Sequence, residues 1–430
     1  MVTLSPPNIS ILVDDKFLQS KRRGLEDGQL PRGMTLRDTD VEVKSQSLSG
    51  RHILLGVTGG IAAVDTIRLC REFRRHGAVL TVIMTPSAQK IITPLAVRWA
   101  AQCEVITDWD ANLTSLQEVD AIVIAPATRD IIASTVHGLQ HGPLLMALSA
   151  ARTRKTPTLF VPSMHEDLAK EPITTELIEQ LKAEHIDILW GEHVEGKMKN
   201  PSHEHIVAQI SHQVNMQHQN TSIVITLGAT KSNIDDIRYI ANTSSGATGW
   251  NIADMLYRHG FDVTCVVGLT TQTQPKWLPL CIQAEEPDKM LKECKALSND
   301  KIDVWIHAAA VLDYIIEHPV EGKIASQQGD LSFTLTESSK HILELAEDCK
   351  DAVRIGFKLE SGIKQKDLIH RAHAQIQHAG MTAVIANRLE DLHDSTKPRA
   401  YLVDKNGAHF PLNDEDDLHE AILSIIEQHV

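Results

Sequence analysis

The chain of 430 residues is short of several things. Aromatic residues make up only 4% of it, so its core must be aliphatic, as in proteins built from β-α-β units. Positive charge is scarce: 42 Lys and Arg stand against 56 Asp and Glu, a net −14. A broad basic face for nucleic-acid phosphates or anionic lipid is therefore not expected, although local basic sites stay open. No apolar run approaches the roughly 18 residues that mark a membrane-spanning helix, and no membrane contact is expected. The six cysteines, Cys70, Cys103, Cys265, Cys281, Cys294 and Cys349, are widely spaced and form no C-x-x-C. That spacing indicates neither a zinc knuckle nor a disulfide framework. What remains, 42% hydrophobic and 23% charged residues, is ordinary for a soluble, cytoplasmic globular protein. At roughly 100–200 residues per domain, the simplest division is into two α/β domains.

Residues 1–47 mix Pro, Gly, Ser and charges of both signs around one short apolar run at 9–13. A secretory signal needs a longer apolar core. A mitochondrial presequence is poor in acids, whereas Asp14, Asp15, Glu26, Asp27, Asp38, Asp40 and Glu42 stand here. The stretch is expected to be a mobile extension, with a short docked element as the alternative.

From residue 48 the pattern turns regular. An aliphatic run at 52–57 ends at Thr58-Gly59-Gly60, apolar residues recur at helical spacing over 61–75, His76-Gly77 stops them, and 79–84 are rich in β-formers. Strand, glycine turn, helix and strand make a β-α-β unit. Further strands are expected at 121–125 and 158–161, and helices over 130–151 and 174–184. After a polar stretch at 203–222 the alternation begins again, with strands at 223–227, 262–267, 303–309, 354–357 and 383–386. Helices are expected at 251–259, 340–348, 364–378 and 416–428, and a hairpin around Lys405-Asn406-Gly407. The expected fold is α/β, with two doubly wound, mainly parallel (Rossmann-like) domains at 48–215 and 223–430.

In open α/β sheets ligands sit beyond the carboxyl ends of the strands. The first such segment is Gly56-Val57-Thr58-Gly59-Gly60. Its glycines allow a phosphate close to the backbone, and the Thr58 hydroxyl and helix N–H groups can hold it. The second strand ends in Thr85-Pro86-Ser87, without the acid that would take a ribose diol, which favours a mononucleotide over NAD. A tight turn with no ligand is the alternative.

These residues carry a resemblance. Gly56-Val57-Thr58-Gly59-Gly60-Ile61-Ala62-Ala63, Ile92-Thr93-Pro94-Leu95 and Ile124-Ala125-Pro126-Ala127-Thr128 are followed, in order, by Ile225-Thr226-Leu227-Gly228-Ala229-Thr230. Then come Asp235 to Gly246, containing Asn242-Thr243-Ser244-Ser245-Gly246, then His307 to Tyr314, Ile355 to Glu360 and Ile385-Ala386-Asn387. From about residue 48 onward the chain resembles the bifunctional phosphopantothenoylcysteine decarboxylase / phosphopantothenate–cysteine ligase family. The resemblance implies an FMN site at Gly56, Thr58, Gly59, Gly60, Ser87, Ala125, Pro126 and Thr128. It also implies a homo-oligomer with a trimer contact in the first domain and a dimer contact in the second.

In that family the first domain uses FMN to oxidise a cysteine-derived thiol so that CO2 leaves. A base, a carboxylate anchor and a proton-donating cysteine are required. Here Asn112 stands where the family keeps its His, His165 where it keeps its Asn, and 190–198 is short and lacks the flap cysteine. Either His165 is a relocated base with Asn112 as anchor, or both changes are drift after loss of decarboxylation.

In the ligase half the resemblance implies that Asn242 orients an acyl nucleotide and that Ser244, Ser245 and Gly246 form the loop around a substrate phosphate. It implies that Asp313 assists Mg2+ or the nucleobase and that Lys323 reaches the triphosphate of CTP (or ATP). Phe357 would stack near the ribose or base, and Asn387 would close the site. Asn242 as a turn cap and Lys323 as a solvated surface residue are the structural alternatives. Family lysines are replaced by Ala247, Ala325, Ser326, Gln375 and Ala379. Each charge-assisted phosphate bond is worth roughly 1.5–3 kcal/mol, so a weaker hold on triphosphate is expected. Three readings stay open. The chain is a repurposed enzyme acting on a related amide or thiol substrate, an active coenzyme A biosynthesis enzyme for phosphopantothenate and cysteine, or a non-catalytic scaffold.

Overall fold

The structure, a computed structural model, describes residues 37–109, 116–194, 197–198, 200–216, 221–326, 330–392 and 394–429. The chain divides into two compact units, Met34–Gln219 with Arg258–Gly260, and Asn220–Tyr257 with Phe261–Val430. The apolar run at 9–13 lies outside the described residues.

The first unit begins with β1 (His52–Val57), a 3-10 turn (Ile61–Asp65) running into α1 (Thr66–Arg75), β2 (Val79–Met84), α2 (Pro94–Ala101), β3 (Val105–Ile106) and β4 (Ala121–Ala127). It continues with α3 (Arg129–Val136), α4 (Pro143–Arg154), β5 (Thr158–Pro162), α5 (Glu166–Ala169), α6 (Pro172–Ala183) and β6 (Asp187–Ile188). A small hairpin of β7 (His193–Val194) and β8 (Lys197–Met198) precedes α7 (His203–Met216). The sheet order is β3-β2-β1-β4-β5-β6, with every pairing parallel. Connections leave β1 toward β2 and later recross to β4, so the switch point lies between β1 and β4. Both faces are covered, which explains why β1 and β4 read as unbroken aliphatic runs. Leu55, Val82 and Val123 enter one core beside Phe73, and Leu54, Ile83 and Ile122 enter the other beside Phe160.

The segment 37–47, counted with the mobile extension from sequence, is docked on α1. Arg71 donates to the carbonyls of Asp38 and Asp40, Arg74 to that of Thr39, and the Lys44 N–H bonds Arg75 O at 2.8 Å. At its centre the buried Glu72 carboxylate takes Lys44 Nζ at 2.7 Å, Arg75 Nη1 at 2.8 Å and His76 Nε2 at 3.3 Å. A strap held by one buried acid carries no hydrophobic period, so the pattern could not reveal it.

The second unit holds β9 (Ser222–Leu227), β10 (Lys231–Asn233), β11 (Tyr239–Ala241), α8 (Ala247–Arg258), β12 (Asp262–Val267), β13 (Leu280–Gln283), α9 (Pro287–Leu297) and β14 (Val304–His307). After these come β15 (Tyr314–Ile316), β16 (Leu335–Glu337), α10 (His341–Glu344), β17 (Val353–Glu360), α11 (Gln365–Ala379), β18 (Ala383–Arg388), β19 (Ala400–Asp404), β20 (His409–Leu412) and α12 (Glu415–His429). Its main sheet runs β13-β12-β9-β14-β17-β18-β19-β20, parallel up to β18 and closed by the antiparallel β19 and β20. The switch point lies between β9 and β14. The expected helix at 340–348 shrinks to the single turn of α10. The two-stranded pairs β10–β11 and β15–β16, three residues a strand, went unforeseen because they are too short to show a period. No described helix is long and apolar enough to cross a membrane.

Burial on its own would raise the Glu72 carboxyl, but hydrogen bonds from His76, Lys44 and Arg75 outweigh it and hold the group well below the usual carboxylate range. The Glu72→Gln variant is expected to lose about 1–3 kcal/mol of first-unit stability at pH 7, read from urea unfolding. Because the folded value is depressed, the wild-type advantage is fully present above about pH 4.3 and fades as pH falls through the folded value. An advantage that grew on acidification would contradict this account.

Candidate functional site

In the first unit three strand ends converge at the switch point. Gly59 lies against Ser87: a Cβ at Gly59 would sit 2.3 Å from that of Ser87, so only glycine allows this approach. A Cβ at Gly60 would lie 3.5 Å from Pro126 Cγ and 3.7 Å from Ser163 O, which puts β1, β4 and β5 ends side by side. Deeper in β1, a Cβ at Gly56 would come within 2.6 Å of Ile124 and Leu144 methyls, so Gly56 is a packing glycine. Ala125 and Pro126 are buried in the last residues of β4. The expectation that the Thr58 hydroxyl holds a phosphate needs correction. Its O–H donates to Pro126 O at 2.7 Å, and its oxygen accepts from the Thr128 N–H at 3.0 Å. A hydroxyl has one proton to give, so Thr58 braces the two turns against each other. Ser87 keeps an exposed position beside them.

His165 follows β5 and caps α5. Its Nδ1 accepts from the Asp167 N–H at 3.3 Å, and the side chain is 56% exposed. The same Nδ1 stands 3.2 Å from the Asp167 carboxylate, so the N–H and the carboxylate of one residue both meet this nitrogen. Asn112 lies outside the described residues.

In the second unit the strand ends enclose a cavity of about 930 Å³. Asn242, Ser244, Ser245, Gly246, Asp313, Phe357 and Asn387 all line it, brought together from four separate segments. Asn242 reaches across the switch point: its amide nitrogen donates to Ala310 O at 3.2 Å and Val311 O at 3.1 Å, so what it has left to offer a ligand is an acceptor. It therefore bridges to the segment after β14 instead of capping its own turn. The serine loop is held by its own hydroxyls, Ser244 Oγ accepting from Gly246 N–H and Ser245 Oγ from Ala247 N–H. Gly246 has φ +76°, and a Cβ there would lie 2.6 Å from Thr270 Cγ2, so this position demands glycine on two counts.

Lys323 is not among the lining residues. Its loop is tied elsewhere, Gly322 N–H to Asp236 Oδ2 and Ile324 N–H to Asp235 Oδ2, both at 3.1 Å. Asp313 is exposed in the lining, but no group of three or more His, Cys, Asp or Glu that could hold a metal occurs among the described residues.

Four cations given no role from the sequence, Lys358 inside a quoted motif among them, line the same cavity: Lys340, Lys358, Arg371 and Arg399. Glu360 takes Lys358 Nζ at 3.2 Å on one oxygen and Arg371 Nη1 at 2.7 Å on the other. Arg399 approaches Glu415 at 3.6 Å. Arg371 stands four residues before Gln375, one turn earlier on the same face of α11, and that spacing was available in the sequence. His307, at the end of β14, also lines the cavity; it is 7% exposed and its Nε2 has no hydrogen-bond partner. Burial first, then the charges of Arg354 and His341, push its pKa down to about 3, so the ring is neutral at working pH. Arg354 is itself buried and donates to Ala379 O and Ile342 O, the former at the C-terminal end of α11, where a cation is favoured.

Two family models match the chain: a flavoprotein domain over residues 41–215, and the C-terminal domain of the DNA/pantothenate metabolism flavoprotein over 218–430. The coenzyme A biosynthesis bifunctional protein CoaBC of Thermococcus kodakarensis is 33% identical over 356 residues, 81% of this chain and 87% of its own. That of Methanocaldococcus jannaschii is 30% identical over 351 residues, 80% of this chain and 85% of its own. The solved DNA/pantothenate metabolism flavoprotein of Streptococcus pneumoniae aligns with 49% of this chain and all of its own, at 22% identity and TM-score 0.45. At such identity and coverage of whole relatives, the chain belongs to the CoaBC family of bifunctional coenzyme A biosynthesis proteins.

Proposed function

We propose that the second unit activates the carboxylate of a phosphopantothenate-like substrate with a nucleoside triphosphate and passes the acyl group to the amine of cysteine, and that the first unit binds FMN. One observation carries the ligase reading. The cavity lining sets Lys340, Lys358, Arg371 and Arg399 against Asp313 and Glu360, with Glu415 beside Arg399, four cations against three carboxylates. In a chain of net −14 that local excess is a selective attraction for a polyanion. In this reading the lysines absent at Ala247, Ala325, Ser326, Gln375 and Ala379 are offset from neighbouring positions.

In this reading the serine loop and the cations hold the phosphates, and Phe357 lies beside the sugar or base. The Asn242 oxygen orients the reacting group, and Asn387 closes the end of β18. The substrate carboxylate attacks the α-phosphorus, pyrophosphate leaves, and the cysteine amine then displaces the nucleoside monophosphate from the acyl carbon. Mg2+ supplies charge neutralisation of the phosphates when it arrives with the nucleotide; Mg2+ is commonly held by one or two carboxylates plus phosphates, a requirement that Asp313 alone fits. Lys323 is assigned no contact in the cavity.

In the first unit the glycine approach at Gly59 and the exposed Ser87 fit the phosphate end of FMN, whose two-electron redox chemistry would serve a thiol substrate. His165 holds the substrate carboxylate through Nε2–H. The absence of a cysteine from 190–198 favours a second reading for this unit, repurposed chemistry without full decarboxylation. Exposed Ile61 and Leu95, at 78% and 76%, support a homo-oligomer contact beside this site. The two activities divide near 215–222.

Calorimetry with CTP and with ATP, each with Mg2+, is expected to show binding of one or both; binding of neither would remove nucleotide activation. Arg371→Gln is expected to weaken that binding roughly ten- to a hundredfold, the loss of one charge-assisted bond. For the first unit, purification should yield a yellow protein with a flavin spectrum. His165→Ala should weaken binding of the carboxylate substrate about tenfold, read by flavin fluorescence, and His165→Asn should restore most of it. If His165→Asn loses turnover as badly as His165→Ala while substrate binding is kept, His165 is a base after all.

A further inference from the structure

The six cysteines, far apart in sequence, are not all far apart in the fold. Cys265 of β12 and Cys281 of β13 are direct partners in a parallel pairing and point to the same face of the sheet. Neighbouring strands stand about 4.7–4.9 Å apart. That spacing falls inside the roughly 4.4–6.8 Å between Cα atoms that a disulfide accepts. β13 is the outermost strand; Cys281 on it is half-buried, and Cys265 is buried behind it. Neither residue lines the cavity of the second unit.

The two thiols are also unequal. A hydrogen bond from the Cys265 thiol holds Cys281 below its ordinary value, and the same bond, with burial, pushes Cys265 up. Burial raises every other cysteine: Cys70, Cys103, Cys294 to about 12 and Cys349 to about 11. Cys281 is therefore the first thiol to ionise, and the thiolate is the reactive form.

We propose that Cys265 and Cys281 are a redox-active dithiol on the edge of the second sheet, closed to a reversible disulfide by hydrogen peroxide. The Cys281 thiolate attacks a peroxide oxygen, the O–O bond breaks, and the departing hydroxide takes up a proton and leaves as water, so that Cys281 becomes a sulfenic acid. Cys265 then attacks the Cys281 sulfur; the S–S bond forms as the S–O bond breaks, and the Cys265 proton leaves with the hydroxyl as a second water. Two thiols lose two electrons, and one peroxide is reduced to two waters. β12 runs on into Gly268 and Thr271, whose N–H bonds Ser245 O at 3.1 Å, so the staple is anchored one segment away from the serine loop.

The test treats the full-length protein with hydrogen peroxide, blocks remaining thiols with iodoacetamide and maps peptides by mass spectrometry. The expected product is a cross-link between the peptides of Cys265 and Cys281, lighter by two hydrogens and released by dithiothreitol. Cys281 should also be alkylated at least tenfold faster than the other five in the untreated protein. Cys281→Ser and Cys265→Ser should each abolish the cross-link while circular dichroism remains unchanged. Recovery of both thiols in reduced form, stable sulfinic acid at Cys281 with Cys265 free, or equal cross-linking at other cysteines would each overturn the proposal.

Discussion

The parallel sheet imposes the constraint on which both units depend. Parallel strands send all their carboxyl ends to one edge, and where the connections part in opposite directions no helix covers that edge. In the first unit this gap falls between β1 and β4, and in the second between β9 and β14. Each gap must then be bridged by side chains, because the backbone leaves it open. Thr58 spans the first by bonding Pro126 and Thr128, and Asn242 spans the second by bonding Ala310 and Val311. Two unrelated polar residues thus solve one geometrical problem. In both cases the bracing consumes hydrogen-bonding capacity that the sequence alone would assign to a ligand.

The same edge explains how charge can move without the site being lost. A lysine lost from one position on a helix leaves a space that another turn of that helix can fill, provided the new residue shares the face. In the proposed reading Arg371 would do this for Gln375 on α11, where Glu360 bonds its guanidinium on one oxygen and Lys358 on the other. Gly356 completes the arrangement, since a Cβ there would come within 2.8 Å of Gln375 Nε2. Counting lysines at motif positions therefore underestimates the charge available to the cavity. The face of the element is the proper unit of comparison.

Long periodic segments were legible in advance: the β-α-β alternation and the hairpin at the end follow from pattern and order, whereas Asn242, Phe357 and Asn387 were singled out by family resemblance. What escaped had no period to read. The 37–47 strap is fixed by Glu72, a single buried carboxylate whose partners lie at sequence separations of three, four and twenty-eight. Lys340 and Arg399 enter the cavity from loops where no spacing rule applies. The neighbouring positions of Cys265 and Cys281 required the register of β12 against β13, which no cysteine motif encodes. The bonds of Thr58 to Pro126 and Thr128 were likewise out of reach, since a residue type does not say where its one proton goes.

Burial also grades the cavity of the second unit from within. Arg371 is 52% exposed and Lys358 34%, whereas His307 is 7% exposed and neutral. The neutrality of His307 is enforced by burial and by Arg354, whose own charge is settled on the carbonyl end of α11 and is not free to pair with a ligand. Cationic groups therefore stand where water still reaches, and an uncharged hydrogen-bonding ring stands where it does not. A charged ligand group placed against His307 would lose its hydration beside an imidazole that gives nothing back in charge, whereas among the four cations it loses less and gains charge-assisted bonds. For the proposed nucleotide this sorts the molecule by polarity, with phosphates among the exposed cations and the heterocycle toward the neutral interior. In that proposal the carboxylate to be activated would meet the α-phosphorus between the two, beside Asn242.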